Sequence, residues 1–141
     1  MSSVKLVRQI AARPDTVFDA ISTPEGITRW WGPDAGPVLI AEIDLRVGGR
    51  FKVRFRMLDA SEHECSGKIL QLERPTHLAM TWEWAGREAE GESRVEWLLR
   101  PSAQGTELLF THTQLPSEEA ARGHERGWNG AFDKLERQLN Y

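Results

Sequence analysis

The chain has a single cysteine, Cys65. An intramolecular disulfide is excluded, and a lone thiol fits a reducing compartment. Excess basic charge is missing too: 18 Lys and Arg stand against 21 Asp and Glu, a net charge of -3. That mild acidity argues against general affinity for nucleic acid, which needs a basic face. No apolar run approaches the ~20 residues of a membrane span. The opening segment MSSVKLVRQI lacks the apolar centre of a secretory signal. A cytoplasmic protein is expected. CxxC, HExxH, GxSxG, Walker and GxGxxG patterns are all absent. His63, Glu64 and Cys65 are contiguous, so a strand sends His63 and Glu64 to opposite faces; neither a metal nor a cofactor is expected. Repeats, low-complexity tracts and linkers are also lacking. With 141 residues, the chain reads as one domain over 1–141. Such a domain buries roughly 65–70% of its unfolded surface without disulfide or metal support.

Tyrosine is scarce and tryptophan is not: 6 Trp stand against 1 Tyr. A buried indole needs a partner for its N–H. Rings this large either fill a core or line a cavity, and composition leaves both open.

Residues 3–11 alternate loosely and predict a first strand. Pro14 opens a short helix with Val17, Phe18 and Ile21 on one side. Thr23 caps a second, with Pro24 at its first position, ending near Trp30-Trp31 because Gly32-Pro33 cannot continue it. Strands follow over 37–45 and, after a Gly48-Gly49 turn, 50–58. In the latter Phe51, Val53, Phe55 and Met57 face one way, and Arg50, Lys52, Arg54 and Arg56 the other. A strand over 62–73 is interrupted at Gly67, a bulge or bend. Beyond Arg74-Pro75, Leu78, Met80, Trp82 and Trp84 share a face, as do Val95, Trp97 and Leu99 on the next strand. Thr106, Leu108, Phe110 and His112 share a face on the last. Ser117 caps a final helix whose Trp128, Phe132, Leu135 and Leu139 form one apolar stripe over about four or five turns. The fold class is therefore α+β: a curved antiparallel sheet of about six or seven strands gripping a long C-terminal helix, with two short helices after the first strand.

This order, with its motifs, resembles the START-like superfamily of helix-grip domains (the SRPBCC group). Within it, the chain is similar to the branch named after homologues of the activator of the heat-shock-protein ATPase. The matching residues span the chain: Arg8; Ala12-Arg13-Pro14 before Val17-Phe18; Thr23-Pro24-Glu25; Arg29 to Pro33; Asp44 to Phe51; Gly67; Glu73-Arg74-Pro75 and Leu78; Thr106 and Leu108; Gly127-Trp128 and Leu135. The resemblance implies a cavity between sheet and helix and no particular ligand, since function lives in sites and not in folds. It also implies that Trp30-Trp31 borders the pocket entrance; Trp31 is taken as the pocket member, with a surface or anchoring role the alternative.

Gly123, Gly127 and Gly130 line one strip of the last helix, each costing ~1 kcal/mol of helix propensity. Either they allow close backbone packing or they leave room for a ligand beside Trp128. His112 points inward by strand period and needs a hydrogen-bond partner, which protein, water or ligand would supply. His63 and Cys65 share a parity, and both are expected to face in, with Gly67. A Cys65–His112 or Cys65–His63 nucleophile pair has nothing to orient its base. Arg46, Arg50, Lys52, Arg54 and Arg56 form an outer stripe that Glu62 and Glu64 should offset.

The inward set Phe51, Phe55, Met80, Trp82, Trp97, Phe110, Trp128 and Phe132 exceeds what one helix covers. With Trp31, His63, His112 and Gly127 it forms the expected ligand-binding site. The leading expectation is a protein that binds an apolar or aromatic small molecule, a lipid, polyketide-like compound or similar. The alternatives are a cyclase- or hydrolase-type enzyme with His112 as first acid–base candidate, and a co-chaperone-like interaction module. Co-chaperone action in that branch also depends on a separate N-terminal domain, for which this chain has no room, so direct ATPase stimulation is not expected. A homodimer through an outer face is compatible with the sequence.

Overall fold

The computed structural model describes residues 2–139. Strand β1 (Ser2–Ile10) leads into helices α1 (Pro14–Ser22) and α2 (Pro24–Ile27). Six strands follow: β2 (Val38–Ile43), β3 (Arg50–Arg56), β4 (Glu62–Glu73), β5 (His77–Trp84), β6 (Ser93–Ser102) and β7 (Gly105–Leu115). Helix α3 (Glu118–Leu139) ends the chain as described. The seven strands form one sheet in the order β1-β7-β6-β5-β4-β3-β2, and every neighbouring pair is antiparallel. Strands β2 to β7 are a simple meander, and β1 closes on β7. The α1–α2 segment therefore carries the chain from one edge of the sheet to the other.

The strand pattern explains the single buried face. In β7, Thr106, Leu108, Phe110 and His112 are buried while the residues between them are only half-covered. Phe51, Val53 and Phe55 do the same in β3. On the outer face Glu62 meets Arg54 at 2.8 Å and Arg56 at 3.1 Å, and Lys52 faces Glu42 at 3.7 Å, an ordinary solvated lattice of charges. Gly67 is needed for close approach, since a Cβ there would lie 1.9 Å from the Thr81 carbonyl oxygen. The register slip itself comes later, between Ile69 and Gln71.

Both caps act as expected. The Gly26 N–H donates to Thr23 Oγ1 at 3.1 Å, and the Ala120 N–H donates to Ser117 Oγ at 3.0 Å. Helix α3 runs for 22 residues, about six turns, not four or five, because its glycines do not interrupt it. It packs chiefly on β1. There Arg8 pairs with Asp133 at 2.9 Å and with Glu136, and donates to Asn129 Oδ1 at 2.8 Å. Leaning on that edge, the helix stands away from β3–β5 at its amino-terminal half. No helix among the described residues is long and apolar enough to cross a membrane.

Candidate functional site

The space left by that lean is a cleft of about 900 Å³, open to solvent on one side. That is within the size of small-molecule sites. Trp82 and Trp84 of β5 form its floor, with Phe55 and Met57 and His63 beside them. Ala120, Gly123, His124, Gly127 and Trp128 of α3 form the roof, and Trp31-Gly32-Pro33 a side wall. Charges sit at the margin: Arg87, Glu90, Glu119 and Arg126. The rings support one another. Trp31 stacks on Trp82 with centroids 5.6 Å apart at 17°, and Trp84 stands edge-on to Trp82 at 5.3 Å.

The side wall is fixed in three places. A Cβ on Gly130 would lie 2.3 Å from the Pro33 carbonyl oxygen, so glycine lets this segment touch the helix backbone. Lys134 Nζ donates to the Trp31 carbonyl at 3.1 Å and also to that of Asp34. Burial holds the Lys134 ammonium below its usual range, with Asp34 opposing that shift. The Asp34 carboxylate in turn accepts from the Leu58 N–H at 3.0 Å. The Trp pair divides its labour: Trp30 is buried and donates its indole N–H to the Ala20 carbonyl at 2.8 Å, whereas Trp31 lines the cleft.

Of the twelve residues expected from sequence, Trp31, Phe55, His63, Trp82, Gly127 and Trp128 meet at the cleft. Phe51, Met80, Trp97, Phe110, His112 and Phe132 do not; they are core residues, at most 3% exposed. The reason is contact. Phe110 lies 4.5 Å from Trp128, 5.0 Å from Phe132 and 5.2 Å from Trp97, centroid to centroid, so these rings cover one another. The expectation that they were too many to touch fails under the carboxy-terminal half of α3.

His112 has its partners inside the protein. Trp128 Nε1 donates to His112 Nδ1 at 3.1 Å, and an indole N–H can only donate. His112 therefore carries its proton on Nε2, which donates to Ser93 Oγ at 2.7 Å, and Ser93 donates to the Trp82 carbonyl at 3.4 Å. Burial, helped by the nearby His124, pushes the His112 pKa down to about 3. That perturbation is one of packing, outside the cleft. Cys65 is likewise buried: its thiol leans on the Val53 carbonyl at 3.8 Å and burial raises its pKa well above the usual value. Such a thiol is a poor nucleophile.

Sequence reasoning missed Trp84 and His124 as lining residues. Trp84 Nε1 donates to His124 Nε2 at 2.9 Å, and His124 Nδ1 donates to the Ala120 carbonyl at 2.7 Å, bridging β5 to α3. Burial lowers the His124 pKa. The signals were present: Trp84 shares its parity with Trp82, and His124 sits beside the Gly123–Gly127 strip. The same strip splits in two. An added Cβ at Gly127 meets only Pro33 Cβ at 3.8 Å, and at Gly123 only the Arg126 guanidinium at 4.0 Å, so these glycines leave space where Gly130 makes contact.

A curved antiparallel sheet, a long helix laid across it and an aromatic cleft between them define a helix-grip domain of the START-like, SRPBCC type. Residues 11–140 match the family described as "Activator of Hsp90 ATPase homolog 1-like protein", and the chain belongs to that family. Among solved structures, protein CV1439 from Chromobacterium violaceum superposes with a TM-score of 0.91 at 22% identity, covering 99% of this chain and 97% of that one. The AHSA1 protein from Silicibacter pomeroyi gives 0.86 at 25% identity, over 98% and 97% of the two chains. CalU16 from Micromonospora echinospora gives 0.74 at 29% identity, over 98% and 76%. No curated protein matches the chain.

Proposed function

We propose that this protein binds an apolar or aromatic small molecule in the cleft beneath the amino-terminal half of α3. One observation carries this: four large rings, Trp31, Phe55, Trp82 and Trp84, face a space of about 900 Å³ whose helical wall, beside Trp128, is bare at Gly123 and Gly127. Two glycines in a helix interior cost roughly 2 kcal/mol together relative to alanine. No steric contact demands either, so the space itself is what they preserve. Cyclase- or hydrolase-type chemistry has less support, because His112 is engaged on both nitrogens away from the cleft, and both nitrogens of the cleft-lining His124 are engaged as well.

The test is a titration with a planar polyphenol, a long-chain fatty acid and a polycyclic aromatic, read by tryptophan emission and thermal shift. At least one class is expected to quench emission and raise Tm. Gly127→Leu should abolish that response while leaving the unliganded Tm unchanged or slightly higher, since leucine gains helix propensity and its side chain enters the cleft. A wild-type protein unmoved by all three classes would end the proposal.

A further inference from the structure

The hydrogen-bonding groups around the cleft are not evenly divided between donors and acceptors. His124 has both nitrogens engaged, by Trp84 and by the Ala120 carbonyl. His63 is engaged as well. Its Nδ1 lies 3.4 Å from the Arg87 guanidinium, which can only donate, so its Nε2 proton goes to Ser61 Oγ at 3.1 Å. The Trp128 N–H is held by His112. Among the groups that remain, those set against the rings are donors. Trp82 Nε1 is buried with no partner among the described residues. Arg87 makes no ion pair and, apart from the contact with His63, no side-chain hydrogen bond among the described residues. Its guanidinium lies over the Trp84 ring, 5.0 Å from the centroid. Stacked this way, a guanidinium keeps its in-plane N–H edge open. The Glu90 and Glu119 carboxylates stand at the margin on exposed positions, as Arg87 does, but Arg87 is the one held over a ring of the cleft wall.

We propose that the cleft selects planar aromatic ligands bearing an anionic oxygen, a carboxylate or phenolate, and that Arg87 receives that oxygen; this rests on the cleft being a binding site. Aromatic walls exclude water from the ring system. They also lower the local dielectric, so a charge-assisted bond at their edge is stronger than one on an open surface. A ligand presenting an ammonium group at that edge would meet the Arg87 guanidinium, a like charge. Fixing Arg87 between Trp84 and His63 reduces the rotamer freedom it loses when the ligand arrives.

The experiment compares 9-anthracenecarboxylate with 9-anthracenemethanol, the same ring with and without the charge, by calorimetric titration of the whole chain. The carboxylate is expected to bind about tenfold more tightly, the lower end for a charged hydrogen bond at a partly exposed site. Arg87→Gln, whose Tm should match the wild type because Arg87 is exposed, should bring that ratio close to one. Equal affinities in the wild type would overturn the anion preference and leave the cleft standing as an apolar site. A preference that survives Arg87→Gln would overturn the role of Arg87. Failure of both compounds to bind would take down the cleft as an aromatic site and the selectivity with it.

Discussion

Helix α3 meets the sheet in two different ways along its length. Its carboxy-terminal half buries Ala131, Phe132, Leu135 and Leu139, and Phe132 packs against Phe110 at 5.0 Å and Trp30 at 6.0 Å. Its amino-terminal half buries Ala121 in a small separate cluster with Val4 and Leu115, and turns Ala120, Gly123 and Gly127 toward rings that stop short of it. Side-chain size, not helical periodicity, makes the difference. An amphipathic stripe says which way a helix faces. Whether that face closes on the sheet depends on the volume each residue contributes there. Trp128 marks the border, touching Phe110 on one side and Trp31 and Trp82 on the other.

The sharpest way to break this comparison is to make the same deletion in both halves. Phe132 and Phe55 are both buried, at 0% and 4% exposure. Phe132→Ala leaves a sealed cavity and should cost about 3–5 kcal/mol. Phe55→Ala enlarges a space already open to water, so it loses the transfer contribution alone, about 1.5–3 kcal/mol. Urea denaturation gives both numbers. Equal losses would mean that the two halves are packed alike.

A second measurement probes the border itself. His112 and His124 lie 4.7 Å apart, ring to ring, and each accepts an indole N–H, from Trp128 and Trp84. Protonating either acceptor nitrogen would set N–H against N–H. His112 has its pKa pushed down to about 3, against about 6.5 in the unfolded chain. Between those values the unfolded state takes up a proton that the folded state refuses. Stability is therefore complete above about pH 6.5 and falls as pH is lowered toward 3, by at most ~1.4 kcal/mol per pH unit from His112. The His124 pKa is lowered too, by burial opposed by Glu90 and aided by Arg87, and its contribution has the same sign. Urea midpoints should show a loss of about 2 kcal/mol from this source between pH 7.5 and 5. His124→Gln keeps an acceptor for Trp84 and should flatten part of that slope. Coincident slopes in variant and wild type would remove His124 as a contributor and leave His112 as the source.

Strand parity and capping residues made most of the fold legible. Thr23, Ser117 and the alternation of β3 and β7 each specify local geometry that depends on near neighbours only. Parity likewise placed Phe55, His63 and Trp82 on the inner face, where they line the cleft. Parity is silent about position along the strand axis, however. Phe51 and Phe55 have the same parity four residues apart, and only the second reaches the cleft, because the helix closes over one end of the sheet and not the other. That tilt is set by Arg8 on Asp133, Glu136 and Asn129, and by Pro33 against Gly130. These contacts join residues about a hundred positions apart. A one-dimensional pattern carries no information about them.

The smallest expected effects come from the glycines, and they bear directly on why the two halves differ. Gly130→Ala places a Cβ 2.3 Å from the Pro33 carbonyl oxygen, a backbone atom that cannot rotate away. The Trp31–Asp34 segment must move, and overpacking of this kind costs about 1–3 kcal/mol, less the helix propensity that alanine gains. Gly123→Ala meets nothing closer than the flexible end of Arg126 at 4.0 Å, so only the propensity gain of about 0.5–1 kcal/mol remains. Opposite signs are therefore expected from the same substitution made seven residues apart on one helix, readable as a fall in Tm for Gly130→Ala and a rise for Gly123→Ala. A stabilising Gly130→Ala would show that the side wall is loosely held. A destabilising Gly123→Ala would show that the roof of the cleft closes on the rings in solution, removing the space that separates one half of α3 from the other.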